Sequence, residues 1–235
     1  MSLPDDLAVA AFTLARRFAA GGTMWCVAPS WPWHGRHVAV EFVHPVVVGK
    51  RAFPAVHVDS TDAVGTVRLL ARPGDVVLAV SAADDPIAGA VLRRSPPWGV
   101  TGVWLGAGAR PAAGAADHVV WIEDVAPDHA ASSGDIVMLY HLLWELTHVV
   151  VEHPGLLVAG ASHSDEVGCV TCSDEGAVAE VVVVHEGGYA DVLAAGHRER
   201  VDVSLVDPVT AGDLVLVHAG VALTVLPDNV EELRG

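Results

Sequence analysis

The last third of the chain contains the stretch Gly212-Asp213-Leu214-Val215-Leu216-Val217-His218-Ala219-Gly220, a Val-rich run with turn residues at both ends. It is one of a series of short Val-rich runs separated by turn residues such as Gly187-Gly188. Short runs at this spacing predict a small antiparallel barrel. The five predicted strands are Ala177–His185, Tyr189–Leu193, Arg200–Leu205, Leu214–His218 and Ala222–Leu226.

Two thiols precede the first predicted strand, in the segment Cys169-Val170-Thr171-Cys172. A four-thiolate zinc site needs a second pair, and Cys26 is the only other cysteine, so such a site within one chain is excluded. A thioredoxin-like pair should open a helix after a strand, whereas this pair precedes a strand. Thiolate ligation of a soft metal group and a pair of inert thiols are the two remaining interpretations.

The region resembles hydrogenase-maturation chaperones of the HypC/HupF family. The resemblance rests on Gly212–Gly220, Ala222, the preceding Val203–Val206 and a cysteine ahead of the first strand. It implies an OB-like barrel whose cysteine thiolate, with a scaffold partner protein, carries an iron-cyanide-carbonyl group to the NiFe-hydrogenase large-subunit precursor. In short family members this cysteine follows the initiator Met, so Cys169 and Cys172 are both candidates here. Cys169 is favoured because it stands farther from the strand.

His218 matches the same family and lies at the end of the fourth predicted strand. It is interpreted either as a contact with the iron group or partner, or as a buried histidine satisfied by a backbone carbonyl. Gly220 is expected to provide a turn.

Composition places the chain among ordered globular proteins, since 52% of its 235 residues are hydrophobic and its mean hydropathy is +0.44. No apolar run approaches the roughly 20 residues that a membrane span needs. The N-terminus lacks the basic segment of a secretory signal. Three cysteines fit a reducing compartment, so a cytoplasmic location is expected.

Charge is distributed unevenly along the chain. Residues 1–150 hold 14 acidic and 10 basic side chains, a net charge of −4, whereas residues 151–235 hold 15 and 3, a net charge of −12. The last third has Tyr189 as its only aromatic residue and no Lys. Nucleic-acid binding by a barrel requires a cationic groove and stacking aromatic residues, so nucleic acid is excluded as a ligand.

The first 152 residues alternate predicted strands and helices, which implies a parallel sheet covered on both faces, a three-layer α/β fold. Predicted domains are therefore 1–152 and 168–235, joined by a linker at 153–167. The predicted helices are Asp5–Ala20, Arg36–Val43, Thr61–Leu70, Pro86–Arg94 and Ser133–Val151, and the strands are Thr23–Ala28, Ala55–Val58, Val76–Ser81, Val100–Leu105 and His118–Trp121.

This first region resembles SIS-domain phosphosugar isomerases, specifically sedoheptulose-7-phosphate (phosphoheptose) isomerase. The resemblance spans about residues 7–152 and rests on Cys26, His37–Glu41, Arg72–Ser81 and His141–Leu146 in this order. The family holds its sugar phosphate on two hydroxyl-rich loops at helix N-termini.

Both of these loops depart from the family pattern. The first, Val27–Trp33, carries two prolines without backbone donors and two indoles that would crowd a phosphate. The second, Ser81–Pro86, keeps only Ser81 and places Asp84 and Asp85 where a dianion should bind. Like charges repel, so phosphosugar binding is predicted to be lost.

His37 and Glu41 are spaced i, i+4 and would face the same side of a helix. With His141 they match three of the four zinc positions of the isomerase family, while the fourth, a Gln in the family, is Ser133 here. Two His and one Glu can bind zinc and leave one position open. The alternative is an ordinary His–Glu hydrogen bond beside a helix.

Two functions of different classes follow from these features. The first is a hydrogenase-maturation accessory protein or chaperone with a degenerate isomerase-like domain and no turnover of its own. The second is a zinc-dependent sugar-phosphate isomerase, with Glu41 and His141 as catalytic residues and a regulatory barrel appended. The resemblance to isomerases, which bury helices between subunits, together with the apolar helices Leu7–Phe18 and Val137–Val151, implies a homo-oligomer, a dimer or a tetramer held by these helices.

Overall fold

The structure is a computed structural model that describes residues 2–59, 61–123, 125, 134–159, 176–206 and 208–227. The chain divides into two compact units. The first comprises Met1–Arg93 and Thr101–Ser164, and the second comprises Arg94–Val100 and Asp165–Gly235.

The first unit is a five-stranded parallel sheet with strand order β2-β1-β3-β4-β5. This confirms the predicted parallel α/β fold. Its helices are α1 Leu3–Ala19, α2 Pro32–Val43, α3 Ala63–Leu70, α4 Pro86–Arg94, α5 Gly134–Glu152 and α6 Pro154–Ala159, and its strands are β1 Met24–Val27, β2 Ala55–His57, β3 Val76–Val80, β4 Thr101–Ala107 and β5 His118–Ile122.

The three central strands β1, β3 and β4 are buried along their whole length. Alternate side chains of a strand face opposite sides of the sheet, so both sides must be covered. Leu78 of β3 packs on one side in a core that includes Leu14 of α1, Phe42 of α2 and Leu143 of α5.

Two elements of this unit differ from the predictions by more than two residues. Helix α2 begins at Pro32 and not at Arg36, because the ring of proline presets the backbone dihedral of a first helical turn. Helix α6, with Pro154 at its start, occupies the first part of the predicted linker at 153–167. Residues 160–167 of that linker lie outside the described residues.

Helix α5 is, within the described part of the chain, the one helix with the length and composition to cross a membrane. Seven of its 19 residues are buried, and five of them, including Tyr140 and Leu143, belong to the core of the first unit. Core helices of globular proteins pass the same test, so it is weak evidence for a membrane span.

The second unit contains a closed five-stranded barrel with strand order β10-β8-β7-β6-β9. This confirms the predicted barrel. All pairs are antiparallel except β10 with β8, which pair in parallel between Val221 and Asp202. The strands are β6 Ala177–His185, β7 Tyr189–Ala194, β8 His197–Asp202, β9 Leu214–His218 and β10 Val221–Leu226.

Strand β8 starts three residues earlier than predicted because of the turn before it. Ala195 and Gly196 both have positive φ, 48° and 82°, as a tight two-residue hairpin requires. This turn pairs Ala194 with His197, and β8 then continues to Asp202. Leu205, predicted as the end of the strand, is exposed.

Residues Arg94–Val100 belong to the barrel unit, although they lie within the predicted domain 1–152. The indole Nε1 of Trp98 donates a hydrogen bond of 2.6 Å to the carboxylate of Glu180 in β6, and both side chains are buried. The amide of Gly196 donates to the carbonyl of Pro97 at 2.8 Å. These contacts attach the segment to β6 and to the β7–β8 turn.

The Ala195 backbone generates a prediction about barrel stability. A side chain at positive φ costs roughly 1 kcal/mol, and Asn tolerates this conformation better than Ala. We expect Ala195→Asn to increase the hydrogen-exchange protection of the slowest β7 and β8 amides roughly two- to five-fold. Ala195→Val, which adds a β-branch at the same position, should decrease it. If the β7 and β8 amides are equally protected in both variants, the prediction that Ala195 is strained at this turn is wrong.

Candidate functional site

The carboxyl ends of β1 and β3 carry the two loops that correspond to the predicted phosphate loops. In the second loop, the Asp85 carboxylate accepts hydrogen bonds from the amides of Ile87, at 3.1 Å, and Ala88, at 3.0 Å. It also accepts a hydrogen bond of 2.5 Å from the Ser30 hydroxyl in the first loop. Asp85 is therefore the N-cap of α4 and ties the two loops together.

The anion-binding position at the start of α4 is thus occupied by a carboxylate of the chain itself. Asp85 is buried, whereas its neighbour Asp84 is exposed. A second negative charge about 4 Å from Asp85 would be repelled by about 4 kcal/mol at the effective dielectric constant of a protein surface. The geometry supports the predicted loss of phosphate binding at this position.

The Ser81 hydroxyl of these loops is also hydrogen-bonded within the unit, and the two indoles lie at different depths. Ser81 is buried, donates to the carbonyl of Ala82 at 3.1 Å and accepts from the indole of Trp104 at 3.0 Å. Trp31 packs in the core of the unit. Trp33 lies on α2 and is 47% exposed, so only this indole borders the solvent beside the site.

The second cluster of functional side chains is formed by α2 and α5, which pack against each other. His37 and Glu41 lie one helical turn apart on α2, and His141 faces them from α5. Glu41 Oε1 lies 3.2 Å from His37 Nε2 and 3.4 Å from His141 Nε2. The two imidazoles are 40% and 36% exposed and the carboxylate 15%, so the cluster opens to solvent.

The position of α2 depends on Gly35. A Cβ at this residue would lie 2.7 Å from the His57 ring of β2 and 3.0 Å from Ala28 Cβ. Glycine therefore allows the helix to approach the sheet closely, which places the two α2 side chains beside α5.

These three residues meet the geometric requirement for binding one metal ion. Each offers one ligand atom, and the three atoms lie within 4.8 Å of one another. Two imidazoles and a carboxylate are a donor set that zinc accepts, with one position left open. The fourth predicted position, Ser133, lies outside the described residues. The contact of Glu41 with His37 also matches the alternative, an ordinary hydrogen bond.

Tyr140 contacts this cluster and was missed by the sequence analysis. Its hydroxyl lies 2.7 Å from His37 Nδ1, and its ring is buried. Burial, and secondarily the charge of Glu41, raises the pKa of Tyr140 to about 12, so the phenol is neutral at physiological pH. Its position next to His141 in sequence was the one available signal.

The predicted sulfur site cannot be placed, because Cys169 and Cys172 lie outside the described residues. Cys26, the one cysteine within them, is buried in β1, and burial raises the pKa of its thiol. His218 is half-buried at the end of β9 and is followed by the turn residues Ala219 and Gly220, both with positive φ. The predicted turn at Gly220 is confirmed.

Two isomerases are among the solved structures similar to this chain, and the first of them shares the fold of the first unit. A phosphoheptose isomerase from Francisella tularensis is 14% identical, with a TM-score of 0.55, over 63% of this chain and 87% of that chain. A phosphoheptose isomerase from Neisseria gonorrhoeae is 14% identical, with a TM-score of 0.49, over 62% and 86%. At such identity the first comparison shows the fold alone. No curated protein matches the sequence at a significant level.

The chain thus combines an α/β unit of the sugar-isomerase fold with a closed five-stranded barrel. Residues 175–233, which contain all five barrel strands, match the sequence model of the HupF/HypC family. This match confirms the resemblance that the sequence predicted for the C-terminal region. Cys169 and Cys172 precede the matched residues.

The capping role of Asp85 can be tested by substitution. Asp85→Ala removes the N-cap of α4 and leaves the Ser30 hydroxyl without its acceptor, so we expect a loss of about 1–2 kcal/mol in the free energy of unfolding. The matched control Asp84→Ala changes an exposed carboxylate and should stay within about 0.5 kcal/mol. Urea unfolding followed by tryptophan fluorescence measures both. Equal effects at the two positions would contradict the capping role.

Proposed function

We propose that this chain is an accessory protein in the maturation of NiFe-hydrogenases. The observation that carries the proposal is the HupF/HypC match of residues 175–233, which coincides with the closed barrel. Hydrogenase-maturation chaperones form the family that this barrel resembles. Its expected partners are a maturation scaffold protein and the precursor of the hydrogenase large subunit, and its expected location is the cytoplasm.

In this proposal the cargo is an iron-cyanide-carbonyl group held by a thiolate of Cys169 or Cys172. Iron with these ligands suits a soft sulfur donor. The pair immediately precedes the matched region, as the cysteine of short family members precedes their barrel. His218, half-buried at the end of β9, is a secondary candidate for contact with the cargo or partner. The net charge of −12 on residues 151–235 favours a protein partner and a metal over nucleic acid.

The α/β unit is proposed to be a degenerate sugar isomerase that retains a metal site. His37, Glu41 and His141 would hold zinc, and a bound zinc ion would supply a Lewis acid with one open position. The alternative function, a zinc-dependent sugar-phosphate isomerase with a regulatory barrel, is favoured by this same cluster. It is disfavoured by the carboxylate of Asp85 at the start of α4.

A homo-oligomer is part of the proposal, but the surface assigned to it changes. Most apolar residues of Leu7–Phe18, among them Leu14, are buried in the core of the unit, whereas Val9 is exposed. Helix α5 instead exposes Met138 and Leu142. Val40 of α2 is also exposed, so we assign the contact to the exposed side of these two helices.

Cysteine substitutions test the cargo proposal. We expect Cys169→Ala or Cys172→Ala to remove most hydrogenase maturation in cells, and the double variant to lose the infrared bands of bound cyanide and carbonyl when the scaffold partner is co-expressed. Cys26→Ala, which removes a buried thiol, should retain both signals and serves as the control. If the single and double variants all behave like the parent protein, the barrel is an interaction module without a thiolate ligand.

A ligand-binding measurement tests the degeneracy of the isomerase fold. Because Asp85 occupies the anion position of α4, sedoheptulose 7-phosphate should neither bind nor turn over when it is added at millimolar concentration. Isothermal titration calorimetry and an isomerase assay on the full chain, with and without zinc, measure this. Saturable binding that Asp85→Ala leaves unchanged would favour the isomerase function.

A further inference from the structure

We propose that Tyr140 is a positioning residue that fixes the orientation and tautomer of His37 as a metal ligand. The proposal rests on the zinc site proposed above and extends it beyond its three ligands. Tyr140 is not one of the three proposed ligands. It acts through the hydrogen bond between its hydroxyl and His37 Nδ1, which is 2.7 Å long.

The geometry assigns different tasks to the two ring nitrogens of His37. Nε2 points to Glu41 Oε1 at 3.2 Å, on the side shared with His141. Nδ1 points away from that side, towards the buried phenol of Tyr140. A histidine that binds a metal through one nitrogen carries its proton on the other, and a hydrogen-bond partner there fixes the ring.

A phenol suits this task because its hydroxyl can either donate or accept. Without a metal, Nε2–H can donate to Glu41 while the Tyr140 hydroxyl donates to Nδ1. With a metal on Nε2, the proton resides on Nδ1 and is donated to the phenol oxygen. The Tyr140 ring is fully buried in the core that α5 shares with α2, so its oxygen is held in place through both arrangements.

The need for such a partner follows from the exposure of the ligand. The His37 side chain is 40% exposed on a helix surface, and without a contact at Nδ1 its ring could rotate away from Glu41. The competing interpretation is that Tyr140 is a core residue whose hydroxyl happens to be satisfied by a nearby imidazole. Removing the hydroxyl alone separates the two interpretations, because the ring continues to fill the core.

The test compares Tyr140→Phe with Tyr189→Phe in the full chain. Tyr189 is the only other tyrosine and lies in the barrel, so its variant is a matched control. Zinc affinity is measured by competition with a chromophoric chelator, and Co²⁺ absorption reports the ligand geometry. We expect Tyr140→Phe to weaken zinc binding roughly 10- to 100-fold with unchanged stoichiometry and an altered Co²⁺ spectrum. The control should equal the parent protein, and His141→Ala should abolish binding.

Each outcome decides a different point. If the parent protein binds no zinc, the zinc site itself is wrong and the role of Tyr140 falls with it. If the parent binds zinc and Tyr140→Phe binds it equally well with the same Co²⁺ spectrum, Tyr140 is only a core residue. A nitrogen-15 NMR measurement on the parent protein covers the case in which Tyr140→Phe does not fold. A slowly exchanging Nδ1 proton on His37 in the zinc-loaded form supports the proposal, and a rapidly exchanging one overturns it.

Discussion

The burial of the three central strands is the constraint on which the α/β unit depends. Strands β1, β3 and β4 have no exposed residue, so helices must cover both faces of the sheet. Polar side chains of the unit are therefore found at the strand ends and on the helices. At the carboxyl ends of β1 and β3, where parallel sheets usually bind ligands, the chain places Ser30, Ser81 and Asp85.

These residues satisfy one another and leave little for a ligand. Asp85 accepts from two amides of α4 and from Ser30, and Ser81 is held between the carbonyl of Ala82 and the indole of Trp104. The open polar chemistry of the unit is therefore on its helices, where His37, Glu41 and His141 face solvent. A fold that usually binds its ligand at the sheet edge thus presents, within its described residues, a solvent-open set of donor atoms beside α2 and α5.

The sequence predicted strands better than it predicted contacts. Buried Val-rich runs such as Val76–Val80 can be recognised locally, and both the parallel sheet and the barrel followed from them. The shift of β8 was missed because Ala195 is not a residue that signals positive φ. The contacts of Asp85 with Ser30, 55 residues away, and of Tyr140 with His37, 103 residues away, depend on tertiary packing that no local pattern encodes.

The two proposed metal-binding sets differ in donor chemistry, and that difference has a functional consequence. The pair Cys169 and Cys172 offers soft sulfur donors, which suit iron bearing cyanide and carbonyl. The cluster on α2 and α5 offers imidazole and carboxylate donors. These donors suit zinc, a metal ion that does not change its oxidation state. Thiolates also bind zinc, so donor chemistry by itself does not exclude zinc from the cysteine pair. The imidazole and carboxylate set contains no sulfur donor, so the proposal assigns the iron group to the cysteines alone.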